Sequence, residues 1–475
     1  MIKIVYNNKI RGQIKHDNQA QFDELYGKLC YQHTKFGANR THEVETVCPI
    51  SPVGSFSAGI ALDLKRLEPD IEIDKKFTDF HFPYIFFNRL DGNLKQPLNK
   101  PWKYRSYQED AIREASLFGR GIIDSPTGSG KSIIMYGIIT NLVQMSEGRV
   151  LILVPSPSLV TQLAGDFTKY GLEDFGTYTS STQAFPDAQV VITSRTVMNK
   201  KGLAALPKIS HLMIDEVHKL IPKSAYERVV KTCATPSIFG FTATMPDDPK
   251  EMWYIKGMVG PVIFKEHTYV LQEQNYLAKV NIVSFKFIHK NKPLYIVEPT
   301  YDMGEHPTKM YSDEYHYLEG RLDTIETIAN VVAQLKGNTM ILFDHTSHGQ
   351  ALYKAIKGNK VFVDGKISMD EREDVKAALE KSNDLTLVAQ STCFGTGISI
   401  NNIQNLIICS HSKRMSKIIQ QVGRSLRKMV DGDEYVMFFD FHHNFKYSER
   451  HFYERVKLYK KFYNKSYDKR VVIEI

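Results

Sequence analysis

The chain of 475 residues is longer than one ordinary hydrophobic core, so about two to four domains are expected. A hydrophobic fraction of 42% without any run of about 18 apolar residues is typical of a soluble globular protein and argues against a transmembrane helix. The net charge of +8 is compatible with a polyanionic partner, and five scattered cysteines without a C-x-x-C pair argue against a disulfide framework and a zinc site.

The N-terminal region combines strand-like and helix-like patterns. Alternating apolar residues at 2–6 and 56–60 predict strands, and an amphipathic stretch at 19–30 predicts a helix. Residues 91–101 are rich in turn formers and indicate a linker. We therefore predict a small α+β accessory domain over residues 1–97. Duplex binding by this domain is a hypothesis. Its charge does not by itself indicate such binding, because its basic residues are balanced by acidic ones.

From residue 121 onward, short apolar runs alternate with longer helix-like segments. Such runs predict buried parallel strands with helices on both faces of each sheet. They fall into two series, which predicts two α/β lobes at residues 98–265 and 266–445. The join is expected near residues 262–285, where the stretch 266–278 is polar and irregular. The predicted strands are residues 121–124, 150–154, 190–193, 212–215 and 238–242, then 339–343, 360–363, 385–389, 406–409 and 435–439.

Residues 125–132, SPTGSGKS, follow the first predicted strand and precede an apolar helix, which is the context of a phosphate-binding loop. Glycines at 128 and 130 let backbone N–H groups turn toward phosphates. Lys131 is predicted to contact the β- and γ-phosphates of ATP, and Ser132 to ligate Mg²⁺. Ser125 departs from the glycine of the usual pattern, and a chance glycine-rich turn is the alternative. The ATP-binding residues predicted here are Thr127, Gly128, Ser129, Gly130, Lys131 and Ser132.

An acidic pair, Asp215 and Glu216, directly follows the buried strand-like run that ends at residue 214. Alone, such a pair is more often an exposed turn. Downstream of a phosphate loop, it predicts that Asp215 holds Mg²⁺ and that Glu216 orients and deprotonates the attacking water.

Residues 420–427, QQVGRSLR, contain arginines that could supply the positive charge needed to stabilise the γ-phosphate as it departs. Arg424 and Arg427 share one face of a helix, and with Gln420 they are predicted to be catalytic. A solvated basic face is the alternative. Because these residues belong to the second lobe, the site would be complete only when the lobes close, which would link hydrolysis to lobe motion.

The C-terminal residues 446–475 interleave cations with aromatic side chains. Phe452, Val456, Tyr459 and Tyr463 fall at helical spacing and predict a buried stripe. We expect an inner aromatic stripe together with an outer basic face that contacts DNA. The basic residues considered are Lys446, Arg450, Arg455, Lys457, Lys460, Lys461, Lys465, Lys469 and Arg470.

In order and spacing, these motifs resemble those of the superfamily 2 helicases over residues 102–445. The matching segments are Tyr107–Gln108, SPTGSGKS at 125–132, DEVH at 215–218, FTAT at 241–244 and QQVGRSLR at 420–427. Within that superfamily, DHTSHGQA at 344–351, VDG at 363–365 and FGTGIS at 394–399 are similar to the phage UvsW-type recombination helicases. The resemblance implies an α/β fold of two tandem RecA-like lobes with parallel sheets, a small N-terminal α+β domain and a C-terminal helical tail.

The resemblance also assigns roles to single residues. Arg105 and Gln108 would recognise adenine, and Gly397 would complete the ATP site. His218, Thr242 and Thr244 would couple the ATP state to strand binding. The residues that would contact the nucleic-acid backbone are Pro155, Ser156, Ser194, Arg195, His345, Gly365, Ser391 and Thr392. Helix caps and turns are the alternative for the serines and threonines.

The resemblance implies an ATP- and Mg²⁺-dependent DNA helicase or translocase that unwinds or branch-migrates forks, Holliday junctions, D-loops and R-loops in recombination, repair and replication. The expected partners are branched, single-stranded and duplex DNA, with RNA in R-loops, and neither membrane nor zinc. A monomer in the cytoplasm is expected, in a host cell if the source is a phage. Two alternatives stay open: an RNA helicase or remodeller, and a nucleic-acid binding module whose ATP site acts as a switch.

Overall fold

The computed structural model describes residues 2–8, 11–36, 42–76, 94–142, 148–182, 184–297, 307–394, 402–409 and 435–475. Apart from residues 127–129, the chain up to Glu266 forms one compact unit and the chain from His267 forms a second. The stretch 266–278 was expected to be irregular, and this prediction is wrong in part. It contains a helix, Thr268–Glu273, because the buried side chain of Leu271 anchors one turn.

The N-terminal region of the first unit is an α+β module. Its elements are β1 (Ile2–Asn8), β2 (Arg11–His16), α1 (Gln19–Leu29), β3 (Tyr31–Phe36), β4 (His42–Val47), β5 (Ser55–Ser57), α2 (Ala61–Leu67) and β6 (Glu72–Ile73). Strands β1 and β2 pair antiparallel and β6 adds to β1 in parallel, so one sheet is mixed and has the order β5-β2-β1-β6. Strands β3 and β4 pair antiparallel in a separate two-stranded sheet. The predicted helix is confirmed, since α1 buries Phe22, Leu25 and Leu29 on one face.

The strand predicted at residues 56–60 ends early, at Ser57, and Ala58–Ile60 form a 3₁₀ turn. The reason is a close contact with the helix Pro249–Val259 of the same unit. A Cβ atom on Gly59 would come within 2.1 Å of the Lys256 carbonyl oxygen. The side chains of Lys256 and Asp63 form an ion pair of 3.0 Å that adds to this contact. The N-terminal module therefore packs directly against the first lobe.

The first lobe contains a parallel sheet whose central strands are almost wholly buried, as apolar runs covered on both faces should be, while its two edge strands are partly exposed. Its strands are β7 (Gly121–Asp124), β8 (Val150–Val154), β9 (Phe175–Tyr178), β10 (Val190–Ser194), β11 (His211–Asp215), β12 (Ser237–Thr242) and β13 (Val262–Lys265). Its helices are α3 (Ser106–Phe118), α4 (Lys131–Leu142), α5 (Pro157–Tyr170), α6 (Lys200–Ala204), α7 (Ala225–Cys233) and α8 (Pro249–Val259). The strand order is β13-β7-β12-β11-β8-β10-β9 among the described residues.

The second unit contains another parallel sheet. Its strands are β14 (Lys279–Ile288), β15 (Thr339–Phe343), β16 (Lys360–Val363), β17 (Thr386–Gln390), β18 (Asn405–Ile408), β19 (Tyr435–His443) and β20 (Lys469–Glu474). Its helices are α9 (Thr268–Glu273), α10 (Leu294–Val297), α11 (Pro307–Glu319), α12 (Leu322–Val332), α13 (Thr346–Ala355), α14 (Met369–Lys381) and α15 (Lys446–Tyr463). The described strands follow the order β16-β17-β15-β18-β19-β14-β20. The predicted fold class, two parallel α/β lobes with a small N-terminal α+β module, is confirmed.

The C-terminal residues belong to the second lobe. Helix α15 buries Phe452, Tyr459 and Tyr463, which confirms the predicted stripe, and β20 then extends the sheet beside β14. Arg455 was assigned to the outer basic face, and this prediction is wrong. Its guanidinium is buried and forms two hydrogen bonds, of 2.9 and 2.7 Å, with the buried carboxylate of Asp440 on β19.

In the part of the chain that is described, no helix is long and apolar enough to cross a membrane.

Candidate functional site

The phosphate-binding loop connects β7 to the start of α4, as predicted. Gly128 and Gly130 adopt φ angles of 79° and 83°, which L-residues rarely adopt, so the two glycines are required by the turn itself. Ser125 has no positive φ. Serine therefore fits at the position where the usual pattern has glycine. Its backbone N–H donates to the Thr242 carbonyl on β12 at 2.8 Å, which attaches the loop to the neighbouring strand.

Lys131 lies folded over this loop. Its Nζ donates to the carbonyl oxygens of Ser125 and Pro126, both at 3.1 Å. The ammonium is therefore held at the mouth of the loop by weak neutral acceptors, which the stronger anionic oxygens of a triphosphate would replace.

Gln108 lies next to the loop on α3. Its Oε1 accepts from the Arg105 backbone N–H at 2.9 Å in a capping box, and its Nε2 donates to the Tyr107 hydroxyl at 3.3 Å. A Cβ atom on Gly130 would come within 2.7 Å of that Nε2. The structure thus places Gln108 beside the phosphate loop, and Arg105, the other predicted adenine-binding residue, in hydrogen-bond contact with Gln108.

The acidic pair lies at the carboxyl end of β11. Glu216 is buried and has a left-handed backbone with φ 53° and ψ 49°, a conformation that costs an L-residue about 1–2 kcal/mol. Strain of this kind is concentrated at functional sites, because the surrounding structure must maintain it.

A chain of polar contacts connects Glu216 to the end of β12. His218 Nδ1 lies 3.2 Å from Glu216 Oε2 and 2.9 Å from Thr242 Oγ1. The Thr242 hydroxyl in turn accepts from the Thr244 backbone N–H at 3.1 Å. The three predicted coupling residues, His218, Thr242 and Thr244, are therefore brought together and joined to the predicted base.

Ser132 and Asp215 are a compatible donor set for Mg²⁺, which prefers hard oxygen ligands and ordinarily takes only one or two from the protein, the rest coming from phosphates and water. The described residues contain no group of three or more histidine, cysteine, aspartate or glutamate side chains that could hold a metal. Ser132 Oγ lies 3.0 Å from the hydroxyl of Tyr170, which sequence reasoning missed. This contact could not be predicted from the hydrophobic periodicity of one helix, because Ser132 lies on α4 and Tyr170 on α5.

The predicted nucleic-acid contacts of the first lobe meet where β8 and β10 end side by side. Arg195 donates from its backbone N–H to Val154 at 3.0 Å and from Nε to the Pro155 carbonyl at 3.1 Å. Ser156 is half-buried directly before α5, and its hydroxyl pairs with Ser158. Ser194 is buried and its hydroxyl is engaged by Thr196 at 2.7 Å, so its side chain is not presented at the surface.

The second lobe shows a similar edge at the ends of β15, β16 and β17. Ser391 Oγ donates to Asp344 at 2.5 Å, next to His345. Gln390 donates to the Asp344 carbonyl at 3.0 Å and accepts from the Gly365 N–H at 3.0 Å. This network brings His345, Gly365 and Ser391 to one edge, and the adjoining Thr392 is exposed. Gln390 was missed, although a polar residue at the end of a buried strand is a usable signal.

Four predicted site residues lie outside the described part of the chain: Gly397, Gln420, Arg424 and Arg427.

Two family models match the chain. The model of the type III restriction enzyme res subunit matches residues 102–247, and the helicase conserved C-terminal domain matches residues 323–429. Among curated relatives, the ATP-dependent DNA helicase uvsW of Enterobacteria phage T4 is 27% identical over 343 residues, which cover 70% of this chain and 66% of the phage protein. The DNA 3'-5' translocase XPB2 of Sulfurisphaera tokodaii is 25% identical over 396 residues, covering 76% of this chain and 84% of the relative.

A solved structure has a similar fold. The ATP-dependent Type ISP restriction-modification enzyme LlaBIII bound to DNA matches with a TM-score of 0.57 and 15% sequence identity, over 86% of this chain and 34% of that one. At this identity the likeness concerns the fold alone.

Proposed function

Since the chain belongs to the superfamily 2 ATP-dependent DNA helicases and translocases, we propose that it uses ATP hydrolysis to move along DNA and to unwind or branch-migrate branched intermediates. The observation that carries the proposal is the continuous contact chain from Glu216 through His218 to Thr242 and Thr244. A switch that only binds ATP has no need of a base connected in this way to the neighbouring strand end.

In the proposed reaction, Lys131 binds the β- and γ-phosphates, and Gln108 with Arg105 recognises the adenine. Ser132 and Asp215 hold Mg²⁺, which when bound neutralises the charge of the phosphate oxygens. Glu216 accepts the proton of the attacking water. Arg424 and Arg427 remain the predicted fingers that stabilise charge on the departing phosphoryl group.

For the substrate, we propose forks, Holliday junctions, D-loops and R-loops. The support is the likeness of several motifs to the UvsW-type helicases, and the name of the phage T4 relative as a DNA helicase. The residues predicted to contact the nucleic-acid backbone lie at the edges of two sheets, which suits a motor that follows phosphates without reading bases. An RNA helicase or remodeller remains the second candidate, since phosphate contacts alone do not distinguish the two nucleic acids.

The ATPase rate is expected to rise with DNA, and to be highest with a synthetic four-way junction. We would measure the steady-state rate without nucleic acid, then with single-stranded DNA, duplex DNA, the junction and matched RNA, at one fixed salt concentration. Constant salt matters because phosphate contacts make affinity strongly salt-dependent. The Glu216→Gln variant, measured in parallel, gives the background of contaminating ATPase.

Stimulation by RNA alone would reject the DNA substrate and leave the motor in place. A low rate with every nucleic acid would instead favour the ATP-switch module.

Removing the Thr242 hydroxyl is expected to uncouple hydrolysis from DNA binding. In Thr242→Val, the His218–Thr242 contact is lost in a side chain of nearly the same shape, so we expect DNA-stimulated turnover to fall by about tenfold or more. Basal turnover and DNA affinity should change by less than about twofold. The measurement is the ratio of stimulated to basal ATPase rate, with DNA affinity determined separately.

Thr242→Ser is the matched control, because it keeps the hydroxyl and should keep the stimulation. A Thr242→Val protein with an undiminished stimulation ratio would exclude this contact from the coupling.

A further inference from the structure

Glu319 is a buried carboxylate at the end of α11 whose function no sequence motif indicates. Only 5% of its side chain is exposed. Its Oε2 lies 2.7 Å from Nδ1 of His345, and its Oε1 lies 3.9 Å from Nδ1 of His348. The two histidines differ in exposure, because half of the His345 side chain is accessible and only 3% of the His348 side chain.

Burial raises the pKa of the Glu319 carboxyl above its ordinary value, although the hydrogen bond and attraction of His345 act in the opposite direction. A carboxylate buried in this way is stable in its ionised form only with a counter-charge nearby. Burial also lowers the pKa of His348 to about 4, so His348 is neutral at pH 7. The negative charge of Asp344 also raises the pKa of the Glu319 carboxyl. The rings of His316 and His345 stack with their centroids 5.5 Å apart. His345 is thus the group in hydrogen-bond contact with Glu319 that can carry the compensating charge.

What the second ring nitrogen of His345 can bind depends on whether that nitrogen carries a proton. When Nδ1–H donates to Glu319, Nε2 carries a proton only if the ring is an imidazolium, and a neutral ring would offer a lone pair there. A lone pair repels a phosphate oxygen, whereas an imidazolium N–H forms a charge-assisted hydrogen bond with it.

We propose that Glu319 holds His345 as an imidazolium whose Nε2–H binds a backbone phosphate of the nucleic-acid strand. His345 is the binding residue and Glu319 is a positioning residue. The inference rests on the proposed function, since it assumes that this edge of the second lobe contacts nucleic acid. The hydrogen bonds that gather Asp344, Ser391 and Gly365 at the same edge support that placement.

The salt dependence of single-stranded DNA binding tests the proposal. Each neutralised phosphate contributes about 0.7 to the slope of log affinity against log salt for a single strand. Glu319→Gln is expected to lower the magnitude of this slope by about 0.7 and to weaken binding roughly tenfold at about 50 mM salt. His345→Gln should give the same two changes, and the double variant should add nothing to either single one.

The matched control is Glu326→Gln on the adjacent helix α12, where the glutamate is exposed. It removes the same negative charge, so general electrostatics predicts equal or slightly tighter binding, the opposite of the result expected for Glu319→Gln. A merely structural role for Glu319 would not change the number of phosphates neutralised and would leave the slope intact.

The possible results distinguish a failure of the proposed function from a failure of the role proposed for Glu319. If the unmodified protein shows neither DNA binding nor DNA-stimulated ATPase, the proposed function fails. If it shows both and Glu319→Gln keeps the slope and affinity, the positioning role is rejected while the proposed function stands. Should Glu319→Gln fail to fold, the half-exposed His345→Gln decides, because an unchanged slope in that variant rejects the phosphate contact.

Discussion

The Lys131→Ala variant is expected to lose ATP turnover by about a thousandfold or more while it still binds single-stranded DNA. The Lys131 ammonium is held over the loop by the carbonyl oxygens of Ser125 and Pro126, so it is already placed for the phosphates before ATP arrives. Preorganised charge at a transferring phosphoryl group is worth about two to four powers of ten in rate. The measurements are steady-state ATPase with saturating DNA and DNA affinity without nucleotide.

Lys169→Ala, which removes an exposed lysine from α5 of the same lobe, is the matched control and should keep its turnover. Loss of DNA binding together with turnover in Lys131→Ala would mean that the lysine maintains the fold of the loop. Residual turnover above about a tenth of the original would exclude the predicted role of Lys131.

The Asp440→Asn variant is expected to destabilise the C-terminal part of the second lobe by about 3–5 kcal/mol, because it leaves the Arg455 charge buried without its partner. Arg455 donates two hydrogen bonds to Asp440, and the Tyr459 hydroxyl donates a third at 2.7 Å. Burial alone would lower the pKa of Arg455, but the attraction of Asp440 raises it above its ordinary value. The Arg455 guanidinium is thus charged in the folded state.

Hydrogen exchange is the suitable measurement, since a chain of two compact units need not unfold in one step. Amides of β19 and α15 should exchange about 100- to 4,000-fold faster in Asp440→Asn, since each 1.4 kcal/mol corresponds to about a factor of ten. Lys457→Gln is the control, because it breaks the exposed pair of 2.9 Å between Lys457 and Glu454 on the same helix, and such surface pairs contribute about 1 kcal/mol or less. Similar exchange in the two variants would contradict the importance of the buried pair.

The ATP site was predictable because its residues are close in sequence to features with a strong local pattern. The glycines at 128 and 130 follow a buried strand, and both adopt the positive φ that makes glycine necessary. Tyr170 could not be found in the same way, because it contacts Ser132 from another helix and belongs to no local pattern. Gln390 does end a buried strand, but its contact with Asp344, 46 residues away, follows from the pairing of β15 with β17.

Two of the wrong predictions were overturned by tertiary contacts, and the third concerns a short element. Arg455 was placed on an outer face because charge alone suggests solvent, yet Asp440 compensates that charge inside the lobe. The strand at 56–60 ends early because Gly59 lies against Lys256, nearly two hundred residues further along the chain. The helix at Thr268–Glu273 was missed because a short element shows little periodicity, and one buried leucine is enough to hold it.

The sequence by itself determined the two parallel sheets, the phosphate loop, the acidic pair and the buried stripe of α15, because apolar periodicity and turn chemistry act over short distances. Only the tertiary structure decided which polar groups meet. The link from Glu216 through His218 to Thr242, the buried pair of Arg455 and Asp440, and the contact of Glu319 with His345 each join different elements. Such pairings follow from how strands and helices pack against one another, since burying a charge is tolerated only where packing supplies its partner.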